Sequence, residues 1–315
     1  MKQLVTTFLT ILILSSFTLA KSAKTKTDTI AIELSNIAVH SVLSNPQNVK
    51  NSPVVLIIGG SGPTDLNGNQ PFMQNNSLKV LSSELVDKGI ATLRFDKRGV
   101  GKSSYPEFKE SDLTIDQYAK DVKSMIKFLQ NKSFRSIYII GHSEGSLIGL
   151  IALQDIEVDG FISIAGAGHS VDSLLKKQLK PKLPLSLYNS VELIIDSLKN
   201  GNYVKNIPQQ LNTLFRPSVQ PYLISWFNYT PAALTKNLSC PSLVIQGDKD
   251  IQTDLEEAQK LANATEKAKL VKIENMNHIL KTIDGGLQEN IQSYTNPELK
   301  INSELVNAIV NFINK

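Results

Sequence analysis

Cysteine and histidine, the residues that metal and disulfide chemistry need, are scarce in this chain. Its 315 residues include one cysteine, Cys240, and four histidines, His40, His142, His169 and His278. A lone cysteine excludes an internal disulfide in any compartment. Cys240 precedes Pro241 at the start of an apolar run and reads as a buried structural thiol. There is no H-E-x-x-H run and no Cys/His cluster, so no metal site is expected. Charge of one sign is also lacking. The 33 Lys and Arg nearly balance 29 Asp and Glu, and a spread-out net charge of +4 offers no basic face. No nucleic-acid partner is therefore expected.

Two phosphate-binding patterns are incomplete. Gly101-Lys102-Ser103 matches the end of a phosphate loop, but Asp96 occupies the position of its first glycine. Gly60-Ser61-Gly62 opens a dinucleotide fingerprint whose third glycine is replaced by Asp65. No cofactor is expected. A hydrophobic content of 41% with 20% charged residues is ordinary for a globular chain and argues against wholesale disorder.

The first 20 residues differ from the rest. Lys2 supplies a positive charge, residues 4–14 are almost entirely apolar or Thr, and the run ends in small residues at Ala20. That is the layout of a signal peptide, with an apolar core shorter than the roughly 20 residues of a membrane helix. The expectation is cleavage after Ala20 and export to the periplasm or medium, with no stable membrane insertion afterwards. Residues 21–28, a polar Lys/Thr stretch, are expected to form a disordered linker.

From residue 30 the pattern becomes structural. Residues 30–43 alternate as one or two antiparallel strands, and then strands and helices take turns. Strands are expected at 54–58, 90–95, 136–140, 160–164, 242–246 and 268–273. Helices are expected at 77–88, from a capping box at Thr114 to about residue 131, after 146, from a second capping box at Thr253–Glu256, and at 303–313. Such alternation predicts an α/β fold: a mainly parallel central sheet with helices on both faces. Residues 169–235 break the rhythm, with six prolines and no clear strand. A structureless loop of that length is improbable in a compact domain, so a helical cap insertion is expected. The core is then 29–168 together with 236–315.

Chemistry concentrates at Gly141-His142-Ser143-Glu144-Gly145, between an apolar strand and a helical run. In that setting G-x-S-x-G is a nucleophile elbow: small neighbours let the chain turn sharply and lift the serine oxygen off the sheet. A serine needs a base, and the base needs an acid that holds its tautomer. Behind an elbow, acid and histidine follow the serine in that order. His278, just past the last expected strand, is the histidine in that place. Gln246-Gly247-Asp248-Lys249-Asp250 offers two acids. Asp250 is favoured by its spacing from the turn glycine, and Asp248 is read as a turn residue.

The tetrahedral oxyanion needs two backbone donors. The N–H of Glu144 is the first, and Ser61 in Gly59-Gly60-Ser61-Gly62-Pro63 is the second, with Gly60 as the alternative.

Together with Arg94-Phe95-Asp96-Lys97-Arg98-Gly99-Val100-Gly101-Lys102-Ser103 and Met276-Asn277-His278, these motifs resemble the α/β-hydrolase superfamily. Within it the chain is similar to bacterial esterases of the serine-aminopeptidase-like branch, from residue 54 to the C terminus. Residues 214–221 of the cap also resemble that branch. The resemblance implies an α/β-hydrolase fold and carboxylic-ester hydrolysis through an acyl-enzyme. One departure is Gly59, where some relatives carry a histidine before the first glycine of the oxyanion loop.

A peptide's free ammonium calls for carboxylates near the cap. Residues 169–235 instead hold seven Lys and Arg against three acids. A small-molecule ester is therefore the expected substrate. The alternatives are an aminopeptidase-like amide hydrolase and a non-catalytic binding protein of the same fold. Tyr222 and Trp226 are candidates for the substrate pocket, with packing inside the cap as the other reading.

Overall fold

Apolar five- and six-residue runs become strands buried on both faces. In the computed structural model, which describes residues 25–34, 37–47 and 49–315, one eight-stranded sheet organises the chain. β1 (Thr25–Glu33) and β2 (Ala38–Pro46) form an antiparallel hairpin on one edge. β3 (Val54–Ile58), α1 (Ser77–Asp87), β4 (Ala91–Phe95), α2 (Ile115–Gln130), β5 (Ile137–His142), α3 (Glu144–Ala152) and β6 (Gly160–Ile164) follow. After the cap come β7 (Ser242–Gly247), α9 (Leu255–Ala262), β8 (Ala268–Ile273), α10 (Leu287–Ser293) and α11 (Ser303–Ile313). The spatial order is β1-β2-β4-β3-β5-β6-β7-β8, with every pairing from β4 to β8 parallel.

Strand alternation decides which side each residue serves. Val54, Leu56 and Ile58 join one apolar layer with α2, α3 and α9, while Val55 and Ile57 join the other with α1 and α11. Because both faces are covered, β3, β4 and β6 are buried at every position, and β3 reads as an unbroken apolar run. Cys240 is buried in the first layer as a free thiol, and burial pushes its pKa up.

Residues 171–236 carry α4 (Val171–Leu179), α5 (Leu185–Lys199), α6 (Asn212–Phe215), α7 (Gln220–Phe227) and α8 (Pro231–Lys236). Val191, Ile195 and Leu198 of α5 pack on Phe215, Leu223 and Phe227 in an apolar cluster of their own. That separate core is why the segment stands over the sheet without a strand.

Three local expectations change. β1 starts at Thr25, inside the stretch expected as a linker, because all nine of its residues pair with β2. Helix α9 is capped one residue later than expected: Asp254, not Thr253, accepts the N–H of Glu257. The Thr253 hydroxyl is committed to Asp250 and to the carbonyl of Ala165. The short α10 was not anticipated. Residues 1–20, expected as a signal peptide, and 21–24 lie outside the described residues. Among the described residues no helix is long and apolar enough to cross a membrane.

Candidate active site

β3 and β5 are neighbours whose following connections lead to opposite sides of the sheet. The crevice beyond their carboxyl ends is the topological switch point, where open α/β sheets bind ligands. The Gly59–Gly62 turn leaves β3 here, and Ser143 follows β5 here.

Ser143 is held at φ 55° and ψ −122°, a conformation that costs a non-glycine residue about 1–3 kcal/mol. Its flanking glycines are required by contact. A Cβ on Gly141 would strike the backbone of Gly145 and Ser146, and one on Gly145 would strike the backbone of β3. The Ser143 N–H is anchored on the Ile164 carbonyl at 2.9 Å. Glu144 opens α3, so its N–H is among the first-turn donors that the helix itself leaves unpaired.

His278 sits in the loop after β8 and is buried. Its Nδ1 lies 2.8 Å from Asp250 Oδ2. A carboxylate only accepts, so Nδ1 carries the hydrogen and Nε2 of the neutral ring is free to take a proton. Asp250 has 1% side-chain exposure and is surrounded by donors. Gln246 Nε2 at 3.0 Å and Thr253 Oγ1 at 2.9 Å reach Oδ2, while the N–H groups of Gln252 and Thr253 reach Oδ1 at 2.7 and 3.0 Å. Burial pushes the Asp250 carboxyl up, but the charge and hydrogen bond of His278 and the two backbone donors bring it down to about 2.

Asp248 is elsewhere. It is exposed, accepts the Asn275 N–H at 2.7 Å and lies 3.4 Å from Lys272 Nζ. It ties the β7 turn to the loop that carries His278. Of the other histidines, His40 pairs with Asp96 at 3.1 Å and His169 with Glu257 at 3.0 Å. His142 is buried against the His278 loop, and burial together with the charge of His278 lowers its pKa to about 4.

Ser61, Ser143, Glu144 and His278 all line one cavity of about 560 Å³ between sheet and cap. Ser61, Gly60, Ser143 and His278 also line a smaller adjoining recess. A Cβ on Gly60 would lie 3.2 Å from that of Ser143, so the glycine turn backs directly onto the serine. Leu147, Val171, Leu175, Leu223 and Trp226 give the large cavity its apolar wall. Tyr222 and Trp226 both face it and pack edge-to-face at 5.7 Å. Trp226 is half-buried, whereas Tyr222 is buried against Tyr118 at 5.8 Å. Burial and then the nearby Glu144 charge raise the Tyr222 hydroxyl well above its usual pKa.

Two carboxylates line the cavity, and each has a cation. Glu110 is paired with Arg216, Nε to Oε2 2.9 Å, and Glu144 with Lys97 at 3.2 Å. Lys97, Gln246, Thr253 and the supporting place of His142 escape a reading of the sequence alone. A glutamine closing the apolar run of β7 and a charge directly after the elbow serine were the available signals.

Residues 76–281 match the family model described as serine aminopeptidase, S33. The esterase EstD of Thermotoga maritima is 27% identical over 238 residues, 74% of this chain and 56% of the relative. The chain thus spans little more than half the length of that relative. A proline iminopeptidase of Lactobacillus acidophilus is 29% identical over 131 residues, 41% of this chain and 40% of that one. Among solved structures, Est1E of Butyrivibrio proteoclasticus with ferulic acid bound superposes with a TM-score of 0.59 at 18% identity, covering 91% of this chain and all of that one. An esterase of Pyrococcus furiosus does so with a TM-score of 0.56 at 16% identity, covering 93% of each chain. Eight strands in this order, an elbow serine at the switch point and a family match across well over half of the length agree: the chain belongs to the S33 serine aminopeptidase family and has the α/β-hydrolase fold.

Proposed function

We propose that the protein is an exported carboxylesterase that works through an acyl-enzyme on Ser143. In this scheme Ser143 Oγ attacks the ester carbonyl carbon while its proton passes to His278 Nε2. Asp250 stabilises the imidazolium that forms. The tetrahedral oxyanion accepts from the N–H groups of Glu144 and Ser61. Collapse breaks the bond to the alkoxy oxygen, which leaves as the alcohol with the proton from His278. Water, deprotonated by His278, then releases the acid and restores Ser143.

The observation that carries the ester reading is the pairing of both cavity carboxylates, Glu110 with Arg216 and Glu144 with Lys97. Each already has a cation, and the second oxygen of Glu144, which has no hydrogen-bond partner, is buried, so neither is open to the free ammonium of a peptide substrate, while the wall is otherwise largely apolar. The similarity to esterases points the same way. The experiment is a comparison of p-nitrophenyl esters with aminoacyl p-nitroanilides, prolyl included, on the mature chain. Ester turnover well above amide turnover is expected. Faster amide turnover would make the protein a peptidase, and absence of both, with no fluorophosphonate labelling, a binding protein. Export rests on residues 1–20. A mature N terminus at Lys21 in the periplasm or medium of a bacterial host is expected, and an uncleaved cytoplasmic chain would remove that part.

A further inference from the structure

Lys97 lines the same cavity and has no part in the scheme above. It follows β4 and keeps only 2% of its surface exposed. A buried ammonium is costly unless its donors are satisfied. Its Nζ donates to the carbonyl of Gly60 at 2.6 Å and to Glu144 Oε1 at 3.2 Å, and lies 5.1 Å from the centre of the Tyr118 ring.

The two acceptors belong to the two residues that frame the oxyanion site. The Gly60 carbonyl and the Ser61 N–H are halves of one peptide unit, and no described peptide bond is cis. In a planar trans unit the carbonyl and N–H point in opposite directions. Drawing the Gly60 oxygen toward Lys97 therefore aims the Ser61 N–H away from it, and that unit abuts Ser143. Gly59, Gly60 and Gly62 have no side chains with which to set this orientation themselves. The next carbonyl, of Ser61, is likewise held from outside, by Thr64 Oγ1 at 2.8 Å and Gln70 Nε2 at 3.0 Å. The second acceptor, the Glu144 carboxylate, is on the residue whose N–H is the other donor. Left without a counter-charge, that carboxylate would oppose a developing oxyanion.

We propose that Lys97 is a positioning residue for ester hydrolysis: one buried ammonium orients the Gly60–Ser61 peptide and neutralises Glu144, so that both oxyanion donors are set before substrate arrives. The inference rests on the esterase reading. Loss of an oxyanion donor lowers kcat by about 10²–10³, and a misaimed donor should cost about 10–100-fold.

The test uses Lys97→Met and the double variant Lys97→Met/Glu144→Leu on the full mature chain. The double variant replaces the buried pair by apolar side chains of similar size, an exchange proteins often tolerate, and it decides the matter if the single variant fails to fold. Three quantities are read with a p-nitrophenyl ester: kcat, KM and the inhibition constant of a trifluoromethyl ketone, whose serine adduct places an oxyanion in the site. Expected in the folded variants is a kcat at least about tenfold lower, KM within about twofold, and ketone affinity weakened by the same factor as kcat/KM. Wild-type kcat in either variant, or a loss confined to KM with ketone affinity intact, overturns the positioning role of Lys97 alone. A wild-type protein that cleaves no ester removes the esterase reading beneath it.

Discussion

The ring of His142 donates from Nε2 to the backbone carbonyl of His278 at 2.8 Å, across 136 residues of sequence. The residue before the elbow serine thereby holds the loop that carries the candidate base. With Nε2 as donor and its pKa lowered to about 4, His142 stays neutral through the neutral range.

This arrangement predicts acid sensitivity with a definite sign. The folded His142 binds a proton only near pH 4, whereas the unfolded residue does so near 6.5. Nothing is lost above 6.5, and stability falls as pH drops from there toward 4, by about 3 kcal/mol at 1.36 kcal/mol per unit. Asp250, with its folded pKa at about 2 against 3.8, contributes stability that is lost between those values. His142→Gln keeps a donor for the His278 carbonyl without the titration. Urea midpoints should then decline less steeply between pH 6.5 and 4 than in wild type, and an unchanged slope would exclude His142 as the source.

Ser143 separates stability from activity. Its positive φ is strained for serine and easy for glycine. Ser143→Gly should abolish ester turnover while raising unfolding free energy by about 1 kcal/mol, the relief of strain less the added backbone freedom. A variant less stable than wild type would show that the turn is not strained at this residue.

The two aspartates after β7 should behave differently. Asp250→Asn disturbs the proton on His278 Nδ1 and should lower kcat by up to about 10⁴-fold, the scale seen for the triad acid in a serine protease. In Asp248→Asn the amide oxygen can still accept the Asn275 N–H, and only a partly exposed pairing with Lys272 is weakened. A change within about 0.5 kcal/mol in stability is expected, with turnover near wild type. Initial rates on one ester, with both variants confirmed folded, check the ranking.

Trp226 and Tyr222 no longer stand as equivalents. Trp226 is half-buried on the cavity wall, so Trp226→Ala should shift selectivity between short and long acyl chains by about 1–3 kcal/mol. Tyr222 is buried beside Glu144 and Tyr118, and its truncation should lower turnover across all chain lengths. A chain-length series of p-nitrophenyl esters distinguishes the two patterns.

Features encoded within a few residues were legible in the sequence. β6 and α11 fall at the expected bounds, because an apolar run or a 3.6-residue period is a local signal. The elbow, the turn after β7 and the loop after β8 are local too, which is how Ser143, Asp250 and His278 could be picked out. Contacts between distant segments were not legible. The partners of Lys97 are 37 and 47 residues away, and nothing near Lys97 distinguishes it from a surface lysine. Where two capping residues adjoin, as at Thr253 and Asp254, tertiary demand decides: Asp250 recruits the threonine and the cap moves by one. The seven residues of α10 form a polar, single-sided helix too short for a period to emerge.

The central claim is that Ser143 carries the acyl group during ester hydrolysis. The direct measurement is peptide-level mass spectrometry of protein quenched while turning over an ester whose acyl group leaves slowly. An acyl adduct on the peptide containing Ser143 is predicted, forming in wild type, far more slowly in His278→Ala and not at all in Ser143→Ala. An adduct on another residue, or ester turnover that persists in Ser143→Ala, would contradict the account.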